Sequence, residues 1–181
     1  MDWIEEVKTR LGRKNQVLFS KDSPCLQDLR LLLQDQDRRL LILWALDFAE
    51  ESAADLKEKY PEETRPEEAL QAARDWASGR IKMPLARRKI LDCHAFAKEI
   101  NCKEDIAACH AVGQACSVVH TAGHAMGYPI YDLTSLIYHY GIESCREPAE
   151  ARMAEYISRL LYWQKAFPDY KREWAGFLQK K

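Results

Sequence analysis

One run of 26 residues, Ile106 to Tyr131 (IAACHAVGQACSVVHTAGHAMGYPIY), contains no Asp, Glu, Lys or Arg, although such residues make up 30 % of the chain. A helix without a charged face has no side to turn toward water, so the run predicts a helix buried nearly all round. Asn101-Cys102-Lys103-Glu104 has the spacing of a capping box, and Glu104 with Asp105 sets negative charge against the first-turn amides. Gly127 and Pro129 supply a stop. The expected central helix covers about 103–126, roughly six turns. Its small side chains, among them Ala107, Ala111, Ala115 and Gly113, let other helices approach closely. A membrane span does not fit, because three histidines, Gln114, Ser117 and Thr121 interrupt any apolar stretch of about 18 residues.

The flanking sequence is helical in period and short of strand patterns. Trp3, Ile4, Val7 and Leu11 form one stripe over 2–12, Leu26, Leu29 and Leu33 another after Ser23-Pro24, and Leu40 to Leu56 a third over about 37–59. Thr64-Arg65-Pro66-Glu67 is a second capping box, opening a helix that Gly79 ends. Further helices are expected over 84–100, 130–140 (ended by Gly141) and 148–167, with a last piece after Pro168. At 181 residues the chain fits one all-α domain, 1–181, a bundle of seven to nine helices around the charge-free one. The N-terminal helices (2–33) and C-terminal helices (148–178) are expected to pack on a core of about 40–141.

Charge falls in blocks. From Asp47 to Asp75 ten acids face four bases, a net of −6, and from Trp76 to Lys103 seven bases face two acids, a net of +5. The overall charge of −1 argues against a nucleic-acid binder. The start, MDWIEEVKTRLG, lacks the basic and apolar segments of a secretion signal, so a cytoplasmic protein is expected, with its six cysteines free, small and mostly buried.

For metal chemistry the best candidates are His120 and His124, four apart on the expected helix, as on a zinc-binding helix, with zinc or iron as the ion and His94 or Cys93 supplying a further ligand. The leading reading of the same residues is as core histidines hydrogen-bonded to neighbouring helices. Cys109 and Cys116 share the stripe, yet catalytic thiols sit in exposed electropositive sites, which this segment does not offer. Asp47, between Leu46 and Phe48, is either a functional carboxylate or the partner of Arg65 or Arg74. Trp44 and Trp76 have core spacing. No phosphate-binding loop, nucleophile elbow or paired CxxC occurs.

The stretch LLILWALDFAEESAADLKEKYPEETRPEEALQAARDWASGRI, followed by ACHAVGQACSVVHTAGHAMG, resembles the family of immunity proteins whose domain is called immunity-protein-five-like. The resemblance covers approximately Leu40 to Gly141, and its most specific parts are Trp44-Ala45-Leu46-Asp47, Arg65-Pro66 and Ala72 to Gly79. It implies a small helical protein of bacterial toxin–immunity systems that binds and neutralises a cognate protein toxin. An inhibitor of that kind needs a rigid complementary face and no catalytic constellation. Asp47, Glu62, Glu63, Arg65, Glu67 and Glu68 are the expected partner-binding residues, since an acidic face would attract a basic toxin. Two other readings stand beside it: a helical metalloprotein or enzyme built on His120 and His124, and a structural homo-oligomer using the amphipathic helix 148–167.

Overall fold

The computed structural model describes residues 2–179, which form helices joined by turns and irregular segments and contain no strand. Nine α-helices follow in order: α1 (Trp3–Gly12), α2 (Gln27–Gln34), α3 (Arg38–Lys59), α4 (Arg65–Ala77), α5 (Met83–Phe96), α6 (Lys103–Ser117), α7 (Gly127–Tyr140), α8 (Arg146–Ala166) and α9 (Gly176–Gln179). Short 3-10 turns cover Pro24–Leu26, Ala122–Met126 and Phe167–Asp169. No helix is long and apolar enough to cross a membrane among the described residues.

Local chemistry explains most of the boundaries. The Asp2 and Asp37 side chains accept from Ile4 N and Arg39 N, capping α1 and α3. Gly79 and Gly141 take positive φ of 79° and 73° just past α4 and α7, the left-handed conformation expected of helix-ending glycines. At α4 the Thr64 hydroxyl bonds the Glu68 carboxylate instead of a backbone amide, and Glu63 Oε1 accepts from Arg65 N in its place.

The charge-free run is not one helix. α6 stops at Ser117, residues 118–121 turn, and a 3-10 segment leads into α7. Ser117 Oγ donates back to Gly113 O, and Ser117 O accepts from both His120 N and Thr121 N, which closes the turn. Thr121 is then extended (φ −150°, ψ 138°). Gly127 has an ordinary helical φ of −64° and opens α7, while Pro129 sits in that helix's first turn, where no amide donor is needed. Gly127 is required for closeness rather than for stopping, since a Cβ there would lie 2.3 Å from Gln114 Oε1.

The run therefore builds an antiparallel hairpin. Gln114 meets Gly127, His110 packs on Tyr131, and Lys103 lies over Tyr138, so contacts descend α6 as they climb α7. With that correction the core has two buried helices. α3 buries Leu40 to Leu46, Phe48, Ala49, Ser52, Ala53 and Leu56, and α6 buries Cys109, Ala111, Val112, Ala115 and Cys116. Trp44, Phe48, Tyr128 and Tyr156 form an aromatic cluster between α3, α7 and α8, and Trp44 Nε1 donates to Tyr156 O at 3.0 Å. The six cysteines are free, four of them buried. α9 closes the far end, with Leu178 buried and Ala175 N donating to Ala77 O at 2.8 Å.

Candidate functional site: an acidic cleft

Helical spacing lines up three faces. Glu51, Ser52 and Asp55 lie on one side of α3, Asp132, Ser135, Leu136, His139 and Tyr140 on one side of α7, and Pro148, Ala151, Arg152 and Glu155 on one side of α8. Together with Glu104 at the start of α6 they enclose an open cleft of about 720 Å³. Five carboxylates and one guanidinium line it, a balance of −4.

Its floor is a buried polar network. Asp132 Oδ2 accepts from Arg152 Nε at 2.8 Å and from Tyr156 OH at 2.5 Å. Arg152 Nη1 reaches Glu51 Oε2 at 3.0 Å and Glu155 Oε2 at 2.8 Å, and the guanidinium lies 4.8 Å over the Phe48 ring. Tyr128 OH is 2.8 Å from Ser52 Oγ and within 3.3 Å of Arg152 Nη2. Arg159, two turns on, pairs with Glu51 and Glu155 and stands 3.8 Å from Asp47. Burial and the neighbouring Asp132 push the Tyr156 phenol well above its usual range, and burial with the same carboxylate does so for Tyr128. Every nitrogen of Arg152 is thus committed within the network, where Arg152 and Arg159 offset Glu51, Asp132 and Glu155 while Lys59 pairs with Glu104, so that Asp55 is the lining carboxylate left without a cation in ion-pair contact among the described residues.

The acidic character continues outside. Asp47, Glu51, Asp55 and Glu58 recur every three or four residues along α3, and Glu62 follows just past its end. Asp55 and Glu58 are exposed and have no cation in ion-pair contact among the described residues. Burial raises the Asp55 carboxyl, opposed by Lys59 and reinforced by Glu58 and Glu51.

The carboxylates expected from sequence separate into two groups. Asp47 and Glu62 sit on this ridge, Asp47 bonded to Trp163 Nε1 (3.4 Å) rather than to Arg65 or Arg74. The loop residues are internally compensated: Glu63 pairs with Arg65, Arg65 with Glu99 just past α5, Glu67 with Lys57 and Glu68 with Lys89. Arg65 holds the Glu63 carboxyl below its ordinary value. This part of the acidic block ties α3, α4 and α5 together and presents little uncompensated charge.

The histidines also regroup. His120 lies exposed in the turn, stacked on Trp76 (6.1 Å), and His124 sits in the 3-10 segment with Nδ1 2.9 Å from Gln114 Oε1. With the helix broken between them they no longer share a face, though both line a pocket of about 390 Å³ with His94, Trp76 and Arg87. The close pair is His94 and His110, Nδ1 to Nδ1 at 2.7 Å, in which one ring donates and the other accepts. Cys109 and Cys116 are core, their thiols pushed up by burial, Cys116 to about 12. Among the described residues, the group nearest to ligand geometry is Cys102, Glu104 and Asp105, but the Lys59 ammonium lies 2.7 Å from both carboxylates and fills the position an ion would take.

The histidine pair makes folding sensitive to acid. Burial, with His110 and His124, lowers His94 from 6.5 to about 4, so the unfolded chain binds more protons than the folded one between those values. Its contribution is intact above pH 6.5 and lost as pH falls to 4, by about 2 kcal/mol after allowing for solvent at its open side. His94→Gln is expected to flatten that part of the stability profile in urea titrations, and a slope identical to the parent's would contradict it.

The network itself was missed from the sequence, although one signal was present: Asp132 is the only charged residue between Asp105 and Glu143. A lone carboxylate in so apolar a stretch needs a buried cation or several donors. Arg152, Glu155 and Arg159, spaced for one helix face, were the matching half.

No curated protein and no solved structure matches the chain. A family model does, over residues 31–159, wider at both ends than the 40–141 read from sequence and including every cleft residue together with Arg159. With 129 of its 181 residues matched, the chain belongs to the family described as "Imm-5 like putative immunity protein".

Proposed function

We propose that the protein binds and neutralises a cognate protein toxin, and that a basic surface of the toxin docks on the acidic cleft and the α3 ridge. The observation that carries this reading is the row of free carboxylates that runs from the cleft along α3 and past its end. The other lining carboxylates pair with Arg152, Arg159 or Lys59, whereas Asp55 in the cleft and Glu58 and Glu62 beyond it on the ridge are exposed with no cation in ion-pair contact among the described residues. Such a field speeds encounter with a cationic partner, and the helices behind it supply a rigid face. Asp47 and Glu62 keep the partner-binding role expected of them, while Glu63, Arg65, Glu67 and Glu68 act by holding the neighbouring loop in place.

Capture from the native cells should yield a near-stoichiometric protein that is toxic when expressed alone and harmless when co-expressed with this chain. In the triple variant Asp55→Asn/Glu58→Gln/Glu62→Gln, association with that protein is expected to slow about tenfold or more at low salt, with the difference shrinking as salt rises. Unchanged association at low salt would remove the cleft from the interface. Metal measured in the same eluate tests the metalloprotein reading, whose support is that His94, His120 and His124 line one pocket.

A further inference from the structure

α5 carries the charge opposite to the cleft's. Between Lys82 and Leu91 it has four bases and no acid. Lys89 is turned to Glu68, whereas Arg87 and Arg88 are exposed and have no carboxylate in ion-pair contact among the described residues. Interleaved with them are three large apolar side chains left in solvent, Met83, Leu85 and Leu91, which are 41, 49 and 53 % exposed. Met83, Arg87 and Leu91 form one row of the helix surface, and Leu85, Arg88 and Leu91 a second that crosses it at Leu91. An apolar row on an outward helix face marks a contact surface, and its cations say that the contact is acidic.

The cleft has the complementary pair of walls. Glu51 and Asp55 line the α3 side, with Asp132 beneath, and on the other side Leu136, Tyr140, Pro148 and Ala151 form an apolar part beside the paired Arg152 and Glu155. Tyr140 is 48 % exposed there. One wall suits arginines and the other suits leucines, which is what a basic amphipathic helix laid in a groove requires. The two surfaces are built by different helices: α5 packs on α4 and α6, the cleft is built by α3, α7 and α8, and α6 touches both sets.

We infer that copies of this chain associate head to tail, the α5 face of one lying in the acidic cleft of the next. Because the two surfaces differ, each copy keeps one of each free and the assembly grows rather than closing as a symmetric pair. While docked, α5 covers the carboxylates that a cationic partner would meet, so self-association and partner binding compete for one cleft. The inference uses that cleft but needs no toxin, so it stands or falls separately from the function proposed above.

Sedimentation velocity on the full chain at ~100 μM tests it. The weight-average mass is expected to exceed the monomer's by up to about twofold at ~20 mM salt and to return to the monomer value at ~500 mM, where the screening length is only a few ångströms. Arg87→Gln/Arg88→Gln and Asp55→Asn/Glu58→Gln should each be monomeric alone. Mixed in equal amounts they should form a complex that stops at two copies, because only one native α5 and one native cleft remain to meet. A monomer at every salt and concentration overturns the inference, as does association that either variant keeps alone, or a mixture that behaves as the sum of its parts.

Discussion

Arg152→Ala is expected to lower the unfolding free energy by about 3–5 kcal/mol, the range for removing one partner of a buried ion pair. The loss is more than the Asp132 contact. Asp132 would stay in the protein with only the Tyr156 hydroxyl and the more distant Tyr128 hydroxyl to offset its charge, Glu51 and Glu155 would keep Arg159 but lose the other cation they share, and the Phe48 ring would lose the guanidinium packed 4.8 Å from its centre. A melting temperature about 10 °C or more below the parent's is the corresponding thermal result for a chain of this size. Arg152→Lys keeps the charge but not the fork, so it should recover only part of the loss. Urea titration of the single variants together with Arg152→Ala/Asp132→Asn decides the matter. If the double variant is no more stable than Arg152→Ala alone, the stranded carboxylate is not the source of the cost.

Gly113→Ala carries the second large effect, and its sign runs against helix propensity. Alanine in the middle of α6 should gain about 1 kcal/mol over glycine. A Cβ at this position, however, would stand 2.4 Å from both Cε1 and Nε2 of His94. The ring cannot simply slide away, because its Nδ1 is held by His110. Expulsion toward the Trp76 pocket would break that bond and open a gap between α5 and α6. A net destabilisation of about 1–3 kcal/mol is expected, as for other overpacked interiors. With the ring removed the obstacle goes too, so Gly113→Ala in a His94→Ala background should be neutral or stabilising. A cost that persists in that background would place the clash on the backbone instead.

Much of the helical order could be read from residues that act locally. Asp37, Pro24, Gly79 and Gly141 act through their own backbones or nearest amides, and the boundaries they mark lie where their chemistry puts them. The misreading at Ile106–Tyr131 came from treating absence of charge as continuity of helix. A hairpin with two charge-free arms has the same composition as one long charge-free helix, and the turn between them is set by Ser117 bonding back to Gly113 and by an extended Thr121, neither of which alters hydrophobic period. The acidic block failed differently. Counting charge along the chain could not show that Glu63, Glu67 and Glu68 find Arg65, Lys57 and Lys89. Nor could it show that Glu51 meets Arg152 across about a hundred residues of sequence. Side-chain pairing between distant segments depends on topology, which periodicity leaves open.

The hairpin of α6 and α7 also bears on the order in which the molecule comes together. Its two arms are joined by about nine residues, so bringing them into register removes little chain entropy, and such local pairings form early along a folding route. α8 reaches α3 only after the intervening chain has been placed, and the Arg152 network lies on that late contact. Loss of Arg152 should therefore show mainly as faster unfolding, with the refolding rate nearly unchanged, while strain placed between Gly113 and its neighbours should slow refolding. The same buried charges that shape the binding cleft would then set how long a folded molecule lasts rather than how quickly one is made.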